Sequence, residues 1–149
     1  MAMPEGYILP GRTVLMTIEN TDPEFYWLPG FLEGLLLHVW YPCTVGTVSY
    51  EIKQIIAKYL EKTGDPRLID YKLHDFGFRG ASSNETAAIG GSAHLVNFLG
   101  TDTTTALQYI KHFYSFSYPK EDISLFNTTY IAGRSIPAAG HECITSWGR

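Results

Sequence analysis

The rhythm of hydrophobic and polar positions changes about halfway along the chain. Pro10-Gly11 makes a turn, and Thr13 to Ile18 is rich enough in β-prone residues to predict a strand. Asn20-Thr21-Asp22-Pro23-Glu24 then reads as a helix start. Asp22 can accept from a free N–H of the first turn, Pro23 needs no donor there, and Glu24 suits the positive end of the dipole. From Phe25 to Trp40 the chain is apolar almost all round, which predicts a buried helix kinked near Pro29-Gly30. Ser49 is placed to cap a second helix, along which Ile52, Ile55, Ile56, Tyr59 and Leu60 recur at helical spacing. Gly64-Asp65-Pro66 ends it.

Beyond that point short apolar runs alternate with Gly-rich or Ser-rich loops. Tyr71 to Phe76 alternates like a strand, Asn84 to Ala93 suits a helix of small residues, Leu95 to Phe98 reads as a buried strand, and Thr103 to Tyr114 as a helix. The order β-α-β-α implies parallel strands with helices packed outside, an α/β barrel or an open sheet. Ser115 to Gly133 is polar and turn-rich and reads as a surface loop. The pattern is expected to be incomplete, because four or fewer strands cannot close a parallel barrel that usually has about eight.

Composition narrows the class. With 45% apolar and 14% aromatic residues in 149, the chain can build a core. Its 17% charged residues fall short of the roughly 25% of an average soluble domain, so further area is expected to be buried against another segment or subunit. A net charge of −4 with scattered Lys and Arg leaves no footprint for a nucleic-acid backbone. Cys43 and Cys143 lack metal-site or disulfide-framework spacing, which makes a reducing cytoplasm the expectation. The apolar stretch Phe31 to Tyr41 is far shorter than the ~20 residues of a bilayer span. The N-terminus has neither the basic nor the apolar region of a secretory signal, so neither a membrane nor export is expected.

In parallel α/β folds the working residues gather at the C-terminal ends of strands, and three loops qualify. The first is His74-Asp75-Phe76-Gly77-Phe78-Arg79-Gly80-Ala81-Ser82-Ser83, where Phe76 is either a core residue or a flat face for a heterocycle. Arg79 is either a surface ion-pair partner or a fork for a phosphate. In the second, Leu99-Gly100-Thr101-Asp102-Thr103, Thr101 or Asp102 would serve as a helix cap. The third holds Ser135, Pro137 and His141, the histidine being structural or nucleophilic. These residues alone reach no further than an α/β chain with an anion site.

Taken together, four strings resemble the nicotinamide phosphoribosyltransferase family of type II phosphoribosyltransferases in the same order. They are Tyr71 to Gly80, Gly90-Gly91-Ser92-Ala93-His94-Leu95-Val96-Asn97-Phe98, Gly100-Thr101-Asp102-Thr103 and Ser135-Ile136-Pro137-Ala138-Ala139. Pro4-Glu5-Gly6, Glu19 to Glu24 and Trp40-Tyr41-Pro42 extend the similarity over almost the full chain. The resemblance implies an internal piece of a transferase that joins nicotinamide to phosphoribosyl pyrophosphate, giving nicotinamide mononucleotide and pyrophosphate. It implies a mixed α/β fold in which residues 1–68 belong to an adjoining α+β domain and 69–149 are the first βα units of a barrel.

By the same resemblance Phe76 stacks on the pyridine ring, Asp102 accepts from the carboxamide, Arg79 holds phosphate, Ser135 lines the amide pocket and His74 borders the entry tunnel. His141 matches a phospho-accepting histidine of an ATP-coupled step, although Gly140 and Glu142 depart from the family's flanking residues. Mg²⁺ accompanies the pyrophosphate with no protein ligand assigned, and the whole enzyme is a homodimer. The chain alone is expected to bind substrate weakly and turn over little or nothing. A non-catalytic binding module and a nicotinate-specific relative are the competing readings.

Overall fold

The computed structural model describes residues 1–114. Met1–Trp40 forms one compact unit, and a second begins at Tyr41.

In the first unit, the Thr13 amide and hydroxyl both donate to the Pro10 carbonyl (3.3 and 2.8 Å), and Arg12 adopts a positive φ of 69°. This is the turn foreseen at Pro10-Gly11. The strand expected over Thr13 to Ile18 does not form. Among the described residues only Met1 to Met3 run alongside, giving one antiparallel bridge, Ala2 to Met16, with flanking bonds from Met3 N to Leu15 O and from Thr17 N to Met1 O. A β-prone run without a longer partner cannot extend a ladder.

Asp22 does cap the next turn, its Oδ1 accepting from Glu24 N at 3.0 Å above a short 3-10 segment, Pro23–Phe25. Helix α1 then spans Leu28–Leu37, so Pro29 lies in the first turn, where no amide donor is required, and causes no kink. Nor is the helix buried: Phe31 is 71% and Leu35 66% exposed. A unit this short has too little chain to enclose an all-round apolar helix.

Helix α2 runs Trp40–Thr63, starting well before Ser49 because Pro42 falls in its first turn. Ser49 is therefore not a cap; it is buried on the face that also carries the half-buried Ile52, Ile56 and Leu60, while Ile55 and Tyr59 stay exposed. The helix ends at Gly64, and Asp65 Oδ1 accepts from Arg67 N (3.0 Å) to open a 3-10 turn, Pro66–Tyr71. Lys53 links this turn to α2. Its ammonium donates to Asp70 Oδ1 (2.7 Å) and to the Asn97 carbonyl, while Asn97 Nδ2 reaches back to Gly46 O at 2.9 Å.

Strand β1, His74–Asp75, pairs with β2, Gly100–Thr101, in parallel, with His74 opposite Gly100 and Asp75 opposite Thr101. Parallel neighbours need a crossover. Here it is a 3-10 turn, Gly77–Gly80, followed by helix α3, Asn84–Leu95, which Ser83 caps by accepting from Thr86 N at 3.1 Å. Helix α4, Thr104–Phe113, follows β2. The mixed α/β class and the parallel pairing thus agree with the sequence pattern, but the strand expected over Leu95 to Phe98 is a helix end and a turn. The amides of Asn97 and Phe98 both donate to His94 O (3.0 and 3.2 Å), a turn that buries Leu95 and Phe98 and leaves Val96 exposed. A short apolar run has no periodicity that would distinguish the two outcomes.

Helices α3 and α4 approach closely because α3 is built of small residues. A Cβ on Gly91 would lie 2.8 Å from Ala106 Cβ and 3.0 Å from Thr103 Cγ2. The buried core here is Ala87, Ala88, Leu95, Phe98 and Ala106, with Phe98 only 1% exposed.

Candidate functional site

The tips of β1 and β2 lie side by side, so the loops that follow them bring His74, Phe76, Arg79 and Asp102 into one neighbourhood. The Asp102 amide donates to Asp75 O at 2.8 Å, which fixes the second loop against the first strand. His74 Nε2 lies 3.0 Å from Asp102 Oδ1, and the two side chains are 7% and 25% exposed. The Phe76 ring tilts against His74 at a centroid distance of 4.8 Å, and the Arg79 guanidinium sits 5.5 Å from the Phe76 centroid.

The capping roles weighed for Thr101 and Asp102 are settled by these contacts. Thr103 occupies the cap position of α4 without a side-chain bond, while Thr101 Oγ1 accepts from Thr103 N at 2.9 Å. Asp102 turns its carboxylate to His74 instead. Phe76 is half-buried at the strand end, not a core residue. Arg79 is exposed, and among the described residues its charge meets the Phe76 ring and no carboxylate. Ser135 and His141 lie outside the described residues.

Beneath this group is a polar support that sequence reasoning missed. Asp75 accepts from Gly77 N on Oδ1 (2.8 Å) and from the Thr101 hydroxyl on Oδ2 (3.2 Å), tying the turn after β1 to β2. Gly100 passes directly under the His74 ring, where a Cβ would meet Nδ1 at 2.5 Å. His94, 4% exposed, reaches the Gly100 carbonyl with Nε2 (3.1 Å) and the Ser49 hydroxyl with Nδ1 (3.0 Å), its ring stacked on Phe98. The one available signal was a histidine closing the run Gly90-Gly91-Ser92-Ala93, a polar group on a helix too small-sided to be a surface helix.

Burial lowers the pKa of His94 below the ordinary 6.5; the Asp75 carboxylate and the carbonyls of Gly100 and Leu73 oppose that shift, and His74 adds to it. The unfolded chain therefore takes up a proton at higher pH than the native one. His94 costs no stability above about 6.5, and stability is lost as pH falls from there toward the lowered native value. Urea midpoints measured between pH 8 and pH 5, taken as steps of about half a unit, are expected to fall on the acid side more steeply than in His94→Gln. Parallel profiles would assign the acid sensitivity to other groups.

A model of the nicotinate phosphoribosyltransferase family matches residues 71–149, more than half of the chain. A nicotinamide phosphoribosyltransferase of Xanthomonas campestris pv. campestris is 52% identical over 150 residues, covering 99% of this chain and 29% of that protein. One from Acinetobacter baylyi is 34% identical over 143 residues, 95% of this chain and 26% of its own length. One from Mycoplasma genitalium is 41% identical over 100 residues, 64% and 22% respectively. The chain spans less than a third of the length of the relatives it matches.

Proposed function

The chain belongs to the nicotinate phosphoribosyltransferase family, and from that premise we propose that it carries the base-binding part of a nicotinamide phosphoribosyltransferase. The whole protein would transfer phosphoribose from phosphoribosyl pyrophosphate to nicotinamide. The ring nitrogen forms the new bond to the ribose carbon as the bond to pyrophosphate breaks, giving nicotinamide mononucleotide. Residues 69–149 would then be the first βα units of a type II barrel and 1–68 part of the adjoining domain, in a homodimer. The relatives named nicotinamide phosphoribosyltransferase support the choice of base.

The observation that carries this reading is the 3.0 Å contact of His74 Nε2 with Asp102 Oδ1 beside the Phe76 ring. An imidazole N–H holding one carboxylate oxygen fixes the direction of the other. A fixed carboxylate accepts from the NH₂ of a carboxamide and repels the carboxylate of nicotinic acid, so attraction and discrimination reside in one group. Phe76 supplies a flat face. Because the Arg79 guanidinium already lies over that ring, an incoming base takes the other face or displaces the cation toward the phosphate it is assigned to hold. Mg²⁺ would arrive with the pyrophosphate; among the described residues no three His, Cys, Asp or Glu side chains form a group that could hold a metal.

Calorimetry on the purified chain is expected to show nicotinamide binding ahead of nicotinic acid, and Asp102→Asn to shrink that preference by about tenfold or more. Equal losses for both bases would reduce Asp102 to a structural role. Pyrophosphate release assayed on the same sample separates binding from turnover, and nicotinic acid outbinding nicotinamide would overturn the substrate assignment.

A further inference from the structure

We propose that His94 is a positioning residue that holds the Gly100 carbonyl and thereby sets the His74 ring, and through it the Asp102 carboxylate, for base recognition. The inference rests on the proposed function for its ligand and on geometry for its mechanism.

Four contacts in series make the case. Ser49 of α2 meets His94 of α3; His94 meets the carbonyl of Gly100 in β2; Gly100 lies opposite His74 in β1 with no room for a methyl between them; and His74 meets Asp102. The first two define the imidazole's protons. A carbonyl only accepts, so Nε2 carries the hydrogen toward Gly100, which leaves Nδ1 of the neutral ring to accept from the Ser49 hydroxyl. Stacking on Phe98, with planes 13° apart, removes the ring's remaining freedom. The His74 Nδ1 atom is buried and, among the described residues, has no hydrogen-bond partner, so no direct bond from them anchors that edge of the ring. Its seat is the backbone of Gly100, and what fixes that backbone from behind is His94. A group three contacts removed from Asp102 thus governs the aim of the carboxylate that selects the base.

Two variants divide the role by atom. The amide of His94→Asn overlies Nδ1 and keeps an acceptor for Ser49 but offers Gly100 nothing. That of His94→Gln overlies Nε2 and keeps the donor to Gly100. With the full chain, His94→Asn is expected to raise the nicotinamide Kd about tenfold and to shift the His74 imidazole ¹⁵N resonances, while His94→Gln stays within about threefold and leaves them near their native positions. Equal effects of both variants on Kd, following only their urea midpoints, would overturn the proposal, as would no effect of either.

Should His94→Asn fail to fold, the unmodified chain still decides. Long-range ¹H–¹⁵N spectra are expected to show the Nε2–H tautomer of His94, and the Nδ1–H tautomer overturns the arrangement. If the unmodified chain binds no nicotinamide, the proposed function fails on its own. The His74 resonances then report on positioning: movement in His94→Asn upholds it, and constancy overturns it.

Discussion

Phe98→Ala is expected to lower the stability of the chain by about 3–5 kcal/mol, the range for truncating a fully buried aromatic. The ring is 1% exposed. It stacks on His94 at 5.3 Å and lies 5.4 Å beneath the Lys53 ammonium, so its loss opens a void and strips two cationic or polar neighbours of their packing surface. The other buried apolar residues among those described are mostly alanines, which are too small to fill such a gap. Urea unfolding followed by far-ultraviolet circular dichroism measures the effect. A loss under about 1 kcal/mol, the size of a surface change, would place Phe98 outside the core.

Gly100→Ala is expected to damage recognition and stability together. The new Cβ would stand 2.5 Å from His74 Nδ1, and the ring has no free direction in which to retreat, being 7% exposed and held by Asp102 on its far nitrogen. Something must move, either the strand tip or the His74–Asp102 pair. Overpacking of this kind costs about 1–3 kcal/mol. If half of that falls on the bound state, nicotinamide affinity drops by roughly two- to tenfold. Gly80→Ala is the control, because a Cβ there meets nothing within 4 Å. Unchanged affinity in Gly100→Ala would show that the His74 ring is not seated on this backbone.

What the sequence made legible were features signalled by a few adjacent residues. Asp22-Pro23-Glu24 announced its turn, Gly64-Asp65-Pro66 ended α2, and Thr103 to Tyr114 bounded α4 to within a residue at either end. The alternation of element types predicted a parallel pairing, although its second strand lies at Gly100–Thr101 and not at Leu95 to Phe98. The misreadings arose where propensity or composition stood in for the pairing and hydrogen bonding that decide the outcome. Thr13 to Ile18 had β propensity but only three residues to pair with, Leu95 to Phe98 was apolar but folded back on His94, and Ser49 had a cap's chemistry but lay nine residues inside its helix.

At the site, the loops after β1 and β2 were recognisable, and the structure brings His74, Phe76, Arg79 and Asp102 together. Asp102 proved to face a histidine and not a helix terminus because the β1–β2 register, which no local pattern records, sets His74 beside it. The supporting group of Ser49, His94 and Gly100 draws on three elements and left only a stray polar residue as its trace.

The Asp75 carboxylate has a consequence for which residues the loop can tolerate. It is enclosed by two bare α-carbons: a side chain at Gly77 would begin 2.9 Å from Oδ1, and one at Gly91 would begin 3.1 Å from Oδ2. Each oxygen also receives its own donor, from a peptide and from a hydroxyl. An asparagine there has a single acceptor oxygen, so with that oxygen on Gly77 N its NH₂ would force the Thr101 hydroxyl to accept where it now donates, and a glutamate would be a methylene too long for the slot. Charge, length and two absent side chains therefore form one indivisible unit, and any drift at position 75 must be matched at 77 and 91 before the loops above can keep their shape.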